Sequence, residues 1–161
     1  MDNPKTANRQ RRNGCRLVLF PLPFQGHINP MIQLAKILHS RGFTISIIPY
    51  NFPDPSNYPH FTFHLISDGL SELEASKLDT LRLIKHLIAH CVEPFEQCLA
   101  QLLSSNDSNY GIGCVVSDAI WHFTQAAADK FKIPRIVLRT SSVCSFLAFS
   151  ALPTLRERYS H

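Results

Sequence analysis

Two short stretches of this sequence carry residue types that can move a proton. Gln25-Gly26-His27 follows an apolar run near the start, and Ser117-Asp118 closes another far along the chain. An imidazole can take a proton from a hydroxyl near neutral pH, and a carboxylate beside it fixes the tautomer and stabilises the imidazolium that forms. Plainer readings stand beside this one. Asp118 could cap the helix that follows it, and a single loop histidine could be a surface residue and nothing more. The choice depends on whether folding brings the two stretches to one place.

The elements that would do so can be read from the apolar pattern. Cys15-Arg-Leu-Val-Leu-Phe20 reads as a buried strand. Residues 21–28 hold two prolines and a glycine and read as a loop; Asn29 then suits an N-cap and Pro30 the first position of a helix that Gly42 ends. Phe43–Ile48 and Phe61–Ile66 read as the second and third strands, separated by a loop with four prolines over 49–60. From Leu78 to Leu103, apolar residues at helical spacing predict one long amphipathic helix, kinked or split at Pro94. Ile112–Val116 and Pro134–Leu138 read as the fourth and fifth strands, with helices over 119–131 and 141–152.

Strands alternating with helices predict an α/β fold, a Rossmann-like doubly wound parallel sheet built through right-handed crossovers. Ligands gather at the carboxyl ends of such strands, where strand order reverses. An order of 3-2-1-4-5 makes the first and fourth strands neighbours there and delivers His27 and Asp118 to one rim.

Composition excludes several classes. The chain has 161 residues, 45% apolar, enough to bury a core. Its net charge of +4 is matched by Lys5, Arg9, Arg11, Arg12 and Arg16 against Asp2, and the rest carries eleven basic and eleven acidic side chains. The basicity belongs to the first sixteen residues, of which 1–14 read as a disordered tail, and no nucleic-acid groove is expected. Five cysteines form no CxxC pair and fit a reducing compartment. No apolar run is long enough for a membrane span, and the start lacks a signal cleavage site, so a cytoplasmic location is expected.

Absent motifs narrow the chemistry further. No GxGxxG opens the first helix, no GxxxxGK[ST] loop cradles phosphate and no GxSxG elbow presents a nucleophile. His86 and His90 have the i,i+4 spacing of metal ligands but lie opposite the apolar stripe with only Glu93 near as a third group, so no metal is expected. His60 and His64 read as structural residues on the third strand. Trp121 and Phe123, and the cluster Phe146, Leu147, Phe149 and Leu152, read either as core or as the wall of an apolar ligand pocket.

Phe20-Pro-Leu-Pro-Phe-Gln-Gly-His-Ile-Asn-Pro-Met is similar to the opening of the plant UDP-dependent glycosyltransferases of family 1, in which Pro-x-x-x-Gln-Gly-His-x-x-Pro follows the first strand. Cys114-Val-Val-Ser-Asp118 and Pro134-Arg-Ile-Val-Leu-Arg-Thr140 resemble two further stretches of that family, so the likeness runs over 15–152. It is nearest to the subgroup that glucosylates cytokinins, iridoids and diterpenoids. The resemblance implies the amino-terminal half of a GT-B fold: an acceptor-binding domain over 15–161, facing a UDP-sugar domain that this sequence does not contain. It further implies His27 as general base, Asp118 as its support and Thr140 as a contact to the sugar. Gly26 would admit close backbone approach, and Phe24, Trp121, Ser145 and Phe149 would line the acceptor pocket. The co-substrate would be a UDP-sugar, with glucose commonest, and the partner a small lipophilic hydroxylated acceptor; no cofactor or metal is implied. Alone, the chain is expected to be inactive, to expose an apolar sheet edge and to aggregate. The competing reading is a truncated, non-catalytic module that binds small molecules or a protein partner.

Overall fold

Runs rich in Val, Ile and Leu become strands here because a sheet covered on both faces buries every side chain of such a run. The computed structural model describes residues 15–50, 54–67, 69–105 and 111–159; the expected tail over 1–14 lies outside them. The order is β1 (Arg16–Phe20), α1 (Gln25–Ser40), β2 (Thr44–Ile47), a 3₁₀ turn (Pro55–Asn57), β3 (Thr62–Phe63), α2 (Glu72–Ala75), α3 (Thr80–His90), α4 (Val92–Ser104), β4 (Ile112–Asp118), α5 (Thr124–Phe131), β5 (Arg135–Leu138) and α6 (Val143–Tyr159). All strand pairs are parallel, in the order β3-β2-β1-β4-β5. This is the doubly wound sheet the alternation predicts.

Helices cover both faces of its centre. On one face Leu17, Leu19, Ile45, Ile47, Cys114 and Val116 pack against Ile28, Met31, Ile32 and Ala35 of α1. On the other, Val18, Phe20, Ile48 and Val115 pack against Leu87, Cys91, Phe95 and Leu99 of the α3–α4 region and against Trp121 and Ala127. Phe20 lies at the heart of this second layer, with Phe95 stacked at 4.6 Å and Trp121 at 4.7 Å between ring centroids.

The structure moves several predicted boundaries. Helix α1 starts at Gln25, one turn before the expected Asn29-Pro30 start, and contains Pro30. The Phe24 carbonyl accepts the N–H of both His27 (2.8 Å) and Ile28 (2.9 Å), so the first turn forms ahead of the proline. Pro30 then forfeits one bond, to a carbonyl of that first turn. The predicted long helix breaks at Cys91, the C-cap of α3 and the residue before α4, not at Pro94, which sits in the first turn of α4 where a missing N–H costs little. Leu81, expected on the buried stripe, is 71% exposed, and Leu87 is buried instead. The third strand shrinks to two residues, and the helix expected from 119 starts at Thr124 after a turn.

Candidate active site

His27 stands in the first turn of α1, and Asp118 is the last residue of β4. The imidazole reaches the carboxylate: His27 Nδ1 lies 2.6 Å from Asp118 Oδ2, with side chains 29% and 2% exposed. An ionised carboxylate only accepts, so Nδ1 carries the proton and Nε2 keeps a free lone pair. The other carboxylate oxygen is also engaged, because Asp118 Oδ1 accepts the Ile120 N–H at 3.0 Å. Asp118 therefore both closes the turn after β4 and holds the imidazole. It does not cap α5, whose N-cap Phe123 has no side-chain cap bond.

A one-residue irregularity in the sheet decides that Asp118 faces His27. Side chains alternate along a strand, so a shift of one residue reverses every later side chain. Arg16 pairs with Ile112, but Leu17 pairs with Cys114, which leaves Gly113 as an extra residue. Ile112 consequently packs with the α3–α4 layer while Cys114 and Val116 pack with the α1 layer. Asp118 follows Val116 in that alternation and meets α1. The bulge is crowded: a Cβ on Gly113 would lie 2.1 Å from Cys15 Sγ.

Thr140, two residues beyond β5, completes a trio. Its Oγ1 lies 3.0 Å from the same His27 Nδ1. The Nδ1 proton goes to the shorter, charged acceptor, so the Thr140 hydroxyl proton remains available to another group. Phe24 is the N-cap of α1 and sets its ring edge toward His27, with centroids 6.3 Å apart. A Cβ on Gly26 would meet no atom within 4 Å, so the chain's own packing does not call for glycine there.

Two expected pocket residues differ in burial. Trp121 is fully buried and stacked on Phe20 at 8° between planes, so it is core and lines no open pocket. The reason is local: the 118–121 turn, closed by Asp118, folds the indole back under the sheet. Phe149 is 61% exposed, on an open groove formed with Leu152, Pro153, Arg156 and Glu157 of the same helix. Phe146, Leu147 and Leu152 are exposed as well, against their reading as core. Ser145 donates its N–H to Ser142 Oγ (3.2 Å) in the first turn of α6, and its own Oγ lies 3.0 Å from that oxygen. His86 and His90 stack at 4.0 Å, and among the described residues no group of three or more His, Cys, Asp or Glu could hold a metal ion. No helix of the described residues is long and apolar enough to cross a membrane.

Sequence reasoning passed over Arg135. Its guanidinium donates from Nε to Ser117 Oγ (2.9 Å), from Nη2 to the Trp121 carbonyl (3.2 Å) and from Nη1 to Gln125 Oε1 (3.4 Å). A cation inside the apolar run Ile133-Pro-Arg-Ile-Val-Leu138 was the available signal.

No protein-family model matches the chain. It is 47% identical over 144 residues to UDP-glycosyltransferase 76B1 of Arabidopsis thaliana, a match taking in 88% of this chain and 31% of that one. Identity is 40% over 166 residues with UDP-glycosyltransferase 76G1 of Stevia rebaudiana (98% and 36% covered) and 37% over 155 residues with 7-deoxyloganetin glucosyltransferase of Gardenia jasminoides (88% and 32%). Among solved structures, UDP-glucose: anthocyanidin 3-O-glucosyltransferase in complex with UDP matches with a TM-score of 0.75 at 17% identity, over 92% of this chain and 35% of that one. Phytolacca americana UGT2 complexed with UDP-2fluoro-glucose and pterostilbene gives 0.71 at 20% identity, over 91% and 35%. These structural likenesses show a shared fold, a part of GT-B. The chain spans about a third of the length of the curated relatives it matches. With that identity along nearly its whole length, the chain belongs with the plant UDP-glycosyltransferases, as an amino-terminal part of such a protein.

Proposed function

We propose that this chain is the acceptor-binding portion of an inverting UDP-glycosyltransferase, which moves a sugar from a UDP-sugar to a hydroxyl of a small lipophilic acceptor. The observation that carries the reading is the 2.6 Å contact from His27 Nδ1 to Asp118 Oδ2, which leaves Nε2 free on a partly exposed imidazole. Nε2 takes the proton of the acceptor hydroxyl. The acceptor oxygen attacks the anomeric carbon as the bond from that carbon to the UDP oxygen breaks, and UDP departs with the electron pair. Attack opposite the leaving group inverts the configuration. Asp118 stabilises the imidazolium, and Thr140 offers its hydroxyl proton to the sugar. Phe24, whose ring lies beside His27, and Ser145 contact the acceptor, and Gly26 leaves the space over the first turn of α1 open.

The donor is bound outside this chain, by the UDP-sugar domain of the complete protein, and glucose is the donor sugar. No general acid is needed, because the diphosphate leaves without protonation, and no metal takes part. The location is cytoplasmic. The test is to express the complete reading frame around this sequence and assay UDP-glucose with phenols, terpenoids and cytokinins, beside the His27→Ala variant. Transfer that depends on His27 supports the reading; transfer unchanged in the variant overturns the assignment of the base.

One observation favours the alternative of a partner-binding module: apolar side chains of β5 and α6 are exposed. Binding of a second protein by the 161-residue chain, with no transfer by the complete reading frame, would put that reading first.

A further inference from the structure

The end of β4 is held from both sides of the sheet. Asp118 projects on the α1 side and meets His27, whereas Ser117, its neighbour in the alternation, projects on the opposite side. There Ser117 is fully buried, with Oγ 2.9 Å from Arg135 Nε and 3.0 Å from Thr124 Oγ1. Thr124, fully buried too, has a single hydroxyl proton and stands 2.6 Å from the Trp121 carbonyl. Arg135 Nη2 donates to that same carbonyl. One guanidinium thus grips both ends of the segment 117–121 while Asp118 closes its middle through the Ile120 N–H. A planar fork of donors can do this where an ammonium cannot.

We propose that Arg135 is a positioning residue for the His27–Asp118 pair, fixing through the backbone of 117–121 the direction in which the carboxylate points. Register supports this. Arg135 pairs with Val115, so its side chain lies on the face of Val115 and Ser117, away from the imidazole. It acts through the segment, touching neither His27 nor anything bound at the rim. Burial also lowers its pKa, and the guanidinium is held by neutral oxygens. Placing a cation there costs desolvation, which three hydrogen bonds, two of them to this segment and one to Gln125 of α5, offset. Its catalytic consequence rests on the function proposed above; its structural content does not.

The test uses the ¹⁵N-histidine-labelled protein of the complete reading frame and needs no turnover. NMR reads the His27 ring: the tautomer from the two nitrogen shifts, and the exchange of the Nδ1 proton with water. Arg135→Met should make that exchange about tenfold faster or more, the scale of losing a hydrogen bond to a charged group, and raise the Nε2–H tautomer. Arg135→Lys keeps charge and stem but lacks the fork, so it should fall between. Added guanidinium ion should restore part of the signal in Arg135→Ala. Ile133→Ala, in the same core without polar contacts, serves as the control; it should lower Tm and leave the His27 ring unchanged. An unchanged ring in Arg135→Met, or an equal change in Ile133→Ala, overturns the proposal. If Arg135→Met fails to fold, Arg135→Lys and Ser117→Ala carry the same comparison. Loss of the general-base reading in the turnover assay would leave these spectra as they are, so the two failures are distinguishable.

Discussion

The two flanks of β4 are built in opposite ways. Toward β1, the strands are covered on both faces, and Val18, Leu19, Phe20, Val115 and Trp121 are fully buried. Toward β5, cover is missing: Ile136 is 55% exposed and Val137 47%, and as consecutive residues they point to opposite faces. Helix α6 continues the contrast, with Val143 73%, Leu147 59% and Phe149 61% exposed. Asp118 lies at the border between these regions, and Thr140 comes to His27 from the uncovered side. The His27–Asp118 contact is therefore assembled by the covered region, while the surface beside it is open. Exposed apolar area of this extent is unusual on a stable monomer.

The contrast can be broken experimentally, and the largest expected effect is at the rim. In the complete reading frame, His27→Ala should lower turnover by roughly 10²–10⁴-fold, the usual loss with a general base; kinetics with saturating UDP-sugar decides it. The same pair of residue types should then separate the flanks in stability. Phe20→Ala should cost about 3–5 kcal/mol, whereas Phe149→Ala should stay within about 0.5 kcal/mol, both by urea denaturation of the 161-residue chain. Phe149→Glu should also reduce self-association in gel filtration. A loss in Phe149→Ala as large as in Phe20→Ala would show that α6 is packed after all.

Smaller effects sharpen the picture. Gly113→Ala should destabilise by about 1–3 kcal/mol through crowding, and Cys15→Ala in the same chain should recover part of it; purely additive effects would remove the Cys15 contact from the account. Burial, with the Arg16 charge second, holds His64 below its ordinary value of 6.5. A group depressed in the folded state contributes stability above its unfolded value, lost as pH falls through the folded one. Melting temperature should therefore drop below pH 6.5, and less so in His64→Gln. Thiols give the mildest contrast. Burial pushes Cys98 up to about 11, while Cys144 is exposed on α6. Iodoacetamide below pH 9.0 should modify Cys144 in the native chain and Cys98 only on unfolding, as mass spectrometry would show.

Some of this was legible beforehand because local rules suffice for it. The alternation of strands and helices predicts a parallel sheet, and His27 and Asp118 fall at one rim once the order 3-2-1-4-5 is assumed, an order that only the structure supplied. Helix starts were harder. Asn29-Pro30 has the residues of an N-terminus, yet the Phe24 carbonyl was free to begin the helix a turn earlier, which moved His27 from a loop into a helix. Trp121 and Phe149 stayed open between core and pocket wall for one reason: an apolar residue near a strand end can turn inward or outward, and its direction follows from the turn that carries it.

By itself, the order of residues determined the layered architecture, the balance of charge over residues 17–161 and the identity of the groups that could exchange a proton. Only the tertiary structure decided that Gly113 is a bulge, that Asp118 therefore faces α1, and that Arg135 reaches the back of the same turn. Facing in a strand has a period of two, so one extra residue reverses it, and which residue is extra depends on the pairing of strands distant in the chain.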